Sequence, residues 1–164
     1  MKTIIYTDGS SRGNPGPGGW GAIVISNGRI QELGGREEMT TNNRMELKGA
    51  IEALRSIASG AENEIVVHSD SQYVIKGITE WISGWQKKGW KNAQKKAVLN
   101  RDLWEELLGA TQDKNISWKY VAGHSDIAGN ERCDEIATQF ADGEKVSLYN
   151  GILDKYSLGK ALTE

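Results

Sequence analysis

Residues 2–35 read KTIIYTDGSSRGNPGPGGWGAIVISNGRIQELGG, and this stretch decides the fold class. KTIIYTD runs β-branched and aromatic residues up to Asp8-Gly9, which predicts a strand closed by a turn at that pair. GNPGPGGWG, residues 13–21, is so rich in glycine and proline that a loop is expected there. WGAIVIS and RIQELGG predict two more strands, and Asn27-Gly28 between them is the strongest short hairpin signal a sequence can carry. Three strands with short connections imply an antiparallel meander.

Downstream the period changes. Leu47, Ala50, Ile51, Leu54, Ile57 and Ala58 recur at helical spacing, predicting a helix from about Asn43 to Ser59 with Gly60 as terminator. EIVVHSD is a buried-type strand ending at Asp70, and SQYVIKGI opens the next helix. Arg101 to Gln112 is helical. ISWKYVAG alternates Ile116, Trp118 and Tyr120 against Ser117 and Lys119 as a last strand. NERCDEIATQFA places Cys133, Ile136, Ala137 and Phe140 on one helical face. A meander followed by helix–strand–helix–strand–helix implies an α/β fold. Its five-stranded mixed sheet has three antiparallel strands, then parallel additions through crossovers, and is flanked by helices. Residues 1–141 form the expected domain. Residues 142–164, DGEKVSLYNGILDKYSLGKALTE, form a C-terminal extension rather than a domain of their own.

Bulk properties narrow the compartment more than the function. A chain of 164 residues, 38% hydrophobic and 26% charged, suits one domain with one core. No apolar run approaches a membrane span or a signal-peptide core. The single cysteine, Cys133, allows no internal disulfide, so the cytoplasm is the expected location. A monomer is the default. The net charge of −2 conceals a local excess: Trp81 to Arg101 holds Lys87, Lys88, Lys91, Lys95, Lys96 and Arg101 and no acid. Such a patch on an otherwise acidic chain binds polyanions or is a solvated lysine-rich surface.

Two carboxylates stand at predicted strand ends, Asp8 and Asp70, where α/β sheets collect their sites. Each has a plain alternative: an Asx-turn at Asp8 and a helix cap at Asp70. Glu46 stands three residues after Asn43, a capping-box spacing, and also beside the apolar stripe of its helix. Asp134 interrupts an apolar helix face, or is simply solvated. Together the four acids suggest an all-oxygen site. Mg²⁺ prefers such ligands and shares them with phosphates. Two ions about 3.5–4 Å apart can clamp the attacking and leaving oxygens of a phosphodiester. His124, in AGHSD after the last strand, is too soft a ligand for Mg²⁺ and suits proton transfer. His68 is expected to be structural.

YTDGS, GNPGPGGWG, TTNNRMEL, SDSQYV, WKNAQKK with DLWEEL, and GHSDIAGNERCDEIA together resemble the type 1 ribonucleases H of the bacterial, single-domain kind, in the family's order over roughly residues 2–141. The resemblance implies a ribonuclease H-like fold. It implies an endonuclease that hydrolyses the RNA strand of RNA–DNA hybrids with Mg²⁺ or Mn²⁺, leaving 5′-phosphate and 3′-hydroxyl ends. Its acidic metal ligands match Asp8, Glu46, Asp70 and Asp134, and its histidine for proton transfer and product release matches His124. Hybrid-contacting residues match Asn14, Asn42, Asn43 and Gln72, with Asn14 and Thr41 at a phosphate pocket. The basic protrusion that grips the DNA strand matches Trp81–Lys96, where Trp81, Trp85 and Trp90 would order the lysines. Asparagine and glutamine amides suit a shape-reading, sequence-blind task, and lysines suit phosphates. Two alternatives share the residues: a related nuclease or recombinase of the same fold, and an inactive hybrid-binding module.

Overall fold

A computed structural model of the chain describes residues 2–58, 63–123 and 127–157. Strands β1 (Lys2–Ser11), β2 (Gly16–Ser26) and β3 (Arg29–Thr40) form the antiparallel meander. Helix α1 (Asn42–Arg55) leads to β4 (Glu64–Ser69), which pairs parallel with β1. A helical run follows as α2 (Gln72–Lys76), a π-helical turn (Gly77–Trp81) and α3 (Ile82–Lys87). Helix α4 (Arg101–Ala110), β5 (Asn115–Tyr120), α5 (Ala128–Ala141) and β6 (Asn150–Ile152) follow, with a 3-10 turn at Leu153–Lys155.

Among the described residues the sheet order is β5-β4-β1-β2-β3-β6, six strands where the sequence predicts five. The sixth comes from the tail: Arg29, Ile30 and Gln31 pair antiparallel with Ile152, Gly151 and Asn150. Three residues are too few for a period-2 signal. The meander strands also run longer than their hydrophobic patterns. β1 continues past Asp8-Gly9 to Ser11, so no turn lies at that pair, and β2 begins inside the glycine–proline run at Gly16. Ladder hydrogen bonding with a register shift between Gly16 and Gly18 overrides local propensity there. The hairpin forms as expected, with Asn27 and Gly28 both at positive φ (54° and 70°), which a type I′ turn requires.

Strand alternation divides the core into two layers. Ile5, Ala22, Val24, Ile65 and Val67 face Leu47, Ala50, Ile51 and Leu54 of α1 and Leu103, Trp104 and Leu107 of α4. The neighbouring residues Tyr6, Ile23, Ile25 and Ile30 face the opposite way, onto Cys133 of α5 and Tyr156 of the tail. The π turn sits against Trp104: a Cβ on Gly77 would lie 2.0 Å from that indole. His68 stacks on Tyr6 with ring centroids 4.6 Å apart, and its Nδ1 lies 3.1 Å from the Ile5 carbonyl, a packing role as expected.

Candidate active site

Register brings the acids together. The parallel pairing of β1 with β4 ends at Thr7 opposite Ser69, so the next residues, Asp8 and Asp70, leave the ladder side by side. Glu46 arrives from α1 because Gly9 admits that helix. A Cβ on Gly9 would lie 2.4 Å from the Glu46 nitrogen, so any other residue would push α1 away. Carboxylate oxygens of Asp8, Glu46 and Asp70 all lie within 4.8 Å of one another, which could hold a metal ion. The Gly9 N–H donates to both Asp8 Oδ1 (2.9 Å) and Glu46 Oε1 (3.1 Å).

The capping alternatives for Glu46 and Asp70 fall away. Helix α1 is capped by Thr41, whose Oγ1 accepts from the Arg44 N–H at 3.2 Å, so Asn43 and Glu46 form no capping box. Helix α2 is capped by Ser71, whose Oγ accepts from the Val74 N–H at 3.2 Å, so Asp70 is not the cap. Asp134 is exposed on α5. It lines the same polar pocket of about 240 Å³ as Asp8, Gly9, Ser10, Asn42, Glu46, Asp70, Asn130 and Glu131, but lies outside the close trio.

Burial sets the electrostatics. Desolvation first, and then the Asp70 and Asp134 charges, push Asp8 up to about 7, although hydrogen bonds from Glu46 and Gly9 oppose the shift. Desolvation and the Asp8 charge raise Glu46 well above its ordinary range. Glu46 Oε2 is buried without a hydrogen-bond donor among the described residues. A hard, oxygen-seeking cation answers all three observations: crowded carboxylates, raised pKa values and an orphaned buried acceptor.

The asparagines are oriented as well as placed. Asn42 Oδ1 accepts from the Ser11 N–H, and Asn14 Oδ1 accepts from the Asn42 N–H, each at 3.1 Å. Both carbonyl oxygens are thereby committed, and the amide NH₂ groups remain as donors to whatever docks. Asn43 and Gln72 are exposed beside them at the starts of α1 and α2. Sequence reasoning missed Asn130, which is 4% exposed at the acidic pocket, its Oδ1 buried and without a partner among the described residues. Its signal was its spacing: one helical turn before Asp134, hence on the same face. His124 lies outside the described residues.

The basic segment is a separate structure. Rings step outward from the buried Trp104 to Trp85 (5.4 Å), and from Trp85 to Trp90 (6.3 Å) and Trp81 (5.9 Å), with Arg101 over Trp90 at 5.2 Å. Asn92 Oδ1 accepts from the Gln94 and Lys96 N–H groups and folds the loop back on itself. Lys87, Lys88, Lys91, Lys95 and Lys96 are all exposed on this framework.

The RNase H family model matches residues 1–142. This chain belongs to the RNase H family. The family member from Cyanothece sp., a ribonuclease H, is 52% identical over 145 residues, covering 88% of this chain and 92% of that one. The ribonuclease H of Pelobacter propionicus is 55% identical over 135 residues, 82% of each chain. Among solved structures, LC9-RNase H1, a type 1 RNase H, superimposes with a TM-score of 0.79 at 34% identity, over 91% of this chain and 77% of that one. Among the described residues of this RNase H no helix is long and apolar enough to cross a membrane.

The acidic cluster of this RNase H makes a stability prediction. The folded-state pKa of Asp8 lies above its unfolded value, so the folded chain binds more protons between about pH 4 and about pH 7. Metal-free stability therefore falls as pH rises through that window. Asp8→Asn should raise metal-free stability by about 1–3 kcal/mol at pH 8, with little gain near pH 4. Urea unfolding in chelator at both pH values checks this, and an equal or negative change at pH 8 would contradict it.

Proposed function

We propose that this chain is an endonuclease that hydrolyses the RNA strand of RNA–DNA hybrids, acting as a cytoplasmic monomer on Mg²⁺, with Mn²⁺ as substitute. The observation that carries the site assignment is the trio of Asp8, Glu46 and Asp70 within 4.8 Å, in a polar pocket rimmed by Asn42 and Asp134. Asp8, Glu46, Asp70 and Asp134 would hold the divalent metal, which when bound supplies charge neutralisation at the phosphodiester and activates water. The residues of the chain do the rest. Asn14 and Asn42 present amide donors to hydrogen-bond acceptors on the hybrid, with Asn43 and Gln72 alongside. Thr41 holds the start of α1 and, with Asn14, borders the phosphate pocket. His124 carries the proton, since imidazole titrates near neutral pH. Residues 1–141 house this machinery, and residues 142–164 serve as an extension of it. The products carry 5′-phosphate and 3′-hydroxyl ends.

Labelled RNA–DNA hybrid, duplex RNA and duplex DNA, each incubated with Mg²⁺ and with chelator, test the reading. Cleavage confined to the RNA of the hybrid and dependent on the ion is expected. Equal cutting of duplex DNA, or full activity in chelator, would refute it.

The Trp-braced lysines make a separate prediction. Neutral replacement of Lys87, Lys88, Lys91, Lys95 and Lys96 should raise KM and leave kcat at saturating hybrid near normal, because uniform binding is lost. Each lysine that neutralises a phosphate contributes about 0.7–0.9 to the salt slope of log affinity, so the slope should flatten. A collapse of kcat with KM and slope unmoved would show that the lysines do not grip substrate.

A further inference from the structure

The loop between β1 and β2 carries Asn14 and is held from two sides. On the α1 side, Asn42 exchanges hydrogen bonds with Ser11 and Asn14. On the α5 side, Arg12 Nε and one terminal guanidinium nitrogen reach Asp142 Oδ1 at 2.6 Å and Oδ2 at 2.8 Å. Two parallel bonds from a planar guanidinium to one carboxylate fix direction as well as distance. Arg12 also closes the loop on itself, its N–H donating to the Pro17 carbonyl at 2.7 Å. Ser11 Oγ donates to the Gly13 carbonyl at 2.7 Å, a second bond within the loop.

The location of Asp142 is telling. It is the C-cap of α5, and a carboxylate at a helix C-terminus opposes the helix dipole. Helix stability therefore does not explain it, and Arg12 is the cation that faces it. Both side chains are well exposed, so the pair adds little to global stability. What it does is orient: it ties the Asn14 loop to the helix that carries Asp134.

Building on the hybrid-cleaving reading above, we propose that Arg12 is a positioning residue. With Asp142 it holds the Ser11–Pro17 loop so that the Asn14 amide meets the hybrid. Arg12 acts through Asn14, not by gripping phosphate, since its fork is occupied by Asp142.

The test measures KM and kcat for hybrid in Mg²⁺ at several salt concentrations, with thermal unfolding of each protein alongside. The proteins are the unmutated chain, Arg12→Ala, Asp142→Asn, the exchange Arg12→Asp with Asp142→Arg, Asn14→Ala, and Asn14→Ala with Arg12→Ala. Arg12→Ala and Asp142→Asn should each raise KM about two- to fivefold, as expected of one exposed pair, with kcat held. The exchange should recover most of the loss, Arg12→Ala should add nothing once Asn14 is Ala, and the salt slope should not move. If Asp142→Asn lowers KM while Arg12→Ala raises it and cuts the salt slope by about 0.7–0.9, Arg12 is a phosphate contact and the proposal falls. Unchanged KM in both single variants also overturns it while leaving the hybrid reading intact. An unmutated chain that does not cut hybrid overturns both.

Discussion

Asp70→Asn is expected to lower kcat for hybrid cleavage by at least about 10²–10³-fold, the loss typical when a preorganised charge is removed from a transition-state site. Asn keeps the shape of Asp but removes one negative charge from a trio whose oxygens lie within 4.8 Å of one another. Helix α2 keeps its cap, because Ser71 rather than Asp70 provides it. Metal-free stability should hold or rise, since the Asp70 charge is one of the influences that raise Asp8 and Glu46. Hybrid binding should persist, because the exposed lysines and the Asn14 and Asn42 amides are untouched. Single-turnover cleavage in Mg²⁺, paired with anisotropy binding of labelled hybrid in chelator, separates the effects. Near-normal turnover would remove Asp70 from the site. Loss of binding together with activity would point to a disrupted fold instead.

The second large effect lies in the tail. Glu32, with a side chain 2% exposed, is the hub of a network. It accepts from Arg132 at 2.7 and 3.1 Å, from the Tyr149 N–H at 2.9 Å, and from the Tyr156 hydroxyl in a short hydrogen bond. Burial alone would raise its pKa, yet the bonds from Arg132, Tyr156 and Tyr149 outweigh burial and hold it below the ordinary carboxylate range. Glu32→Ala takes the buried carboxylate from a half-buried guanidinium and frees the tail, and should cost about 3–5 kcal/mol at neutral pH. The lower end is favoured because Arg132 keeps Glu135 at 2.8 Å and the Ser147 carbonyl at 3.1 Å. For a chain of this size that is a Tm drop of roughly 10 °C. The pH sign follows from the lowered pKa: the contribution of Glu32 is present above its unfolded pKa and is lost as pH falls through the folded value. Wild type and variant should therefore converge in acid. Calorimetry at pH 7 and pH 3 reads both, and a variant within 1 kcal/mol of wild type at pH 7 would demote the network to decoration.

The network also shows what a sequence hides. Glu32 and Arg132 are far apart in the chain, and nothing near either residue marks it as a partner. Strand β6 is legible only once Glu32 is known to bond Tyr149, because the Glu32 N–H also donates to the Tyr149 carbonyl at 2.7 Å and fixes the register. The π turn at Gly77–Trp81 is likewise set by contact, with the Trp104 indole pressed against Gly77.

The sequence alone determined what depends on near neighbours. Runs of β-branched and aromatic residues in KTIIY and AIVIS made strands, the spacing of Leu47, Ala50, Ile51 and Leu54 made α1, and Asn27-Gly28 made the hairpin, because dihedral preference and side-chain direction act over a few residues. It also put Asp8 and Asp70 at expected strand ends, although β1 runs on to Ser11 and only its pairing with β4 stops just before them. Only the tertiary structure decided that Glu46 faces Asp8 rather than capping its own helix, that Asn130 joins the pocket, and that Asp134 stays outside the close trio. Those outcomes turn on the Thr7–Ser69 register and on how near α1 comes to Gly9. Packing between distant segments fixes such distances, and no local periodicity encodes them.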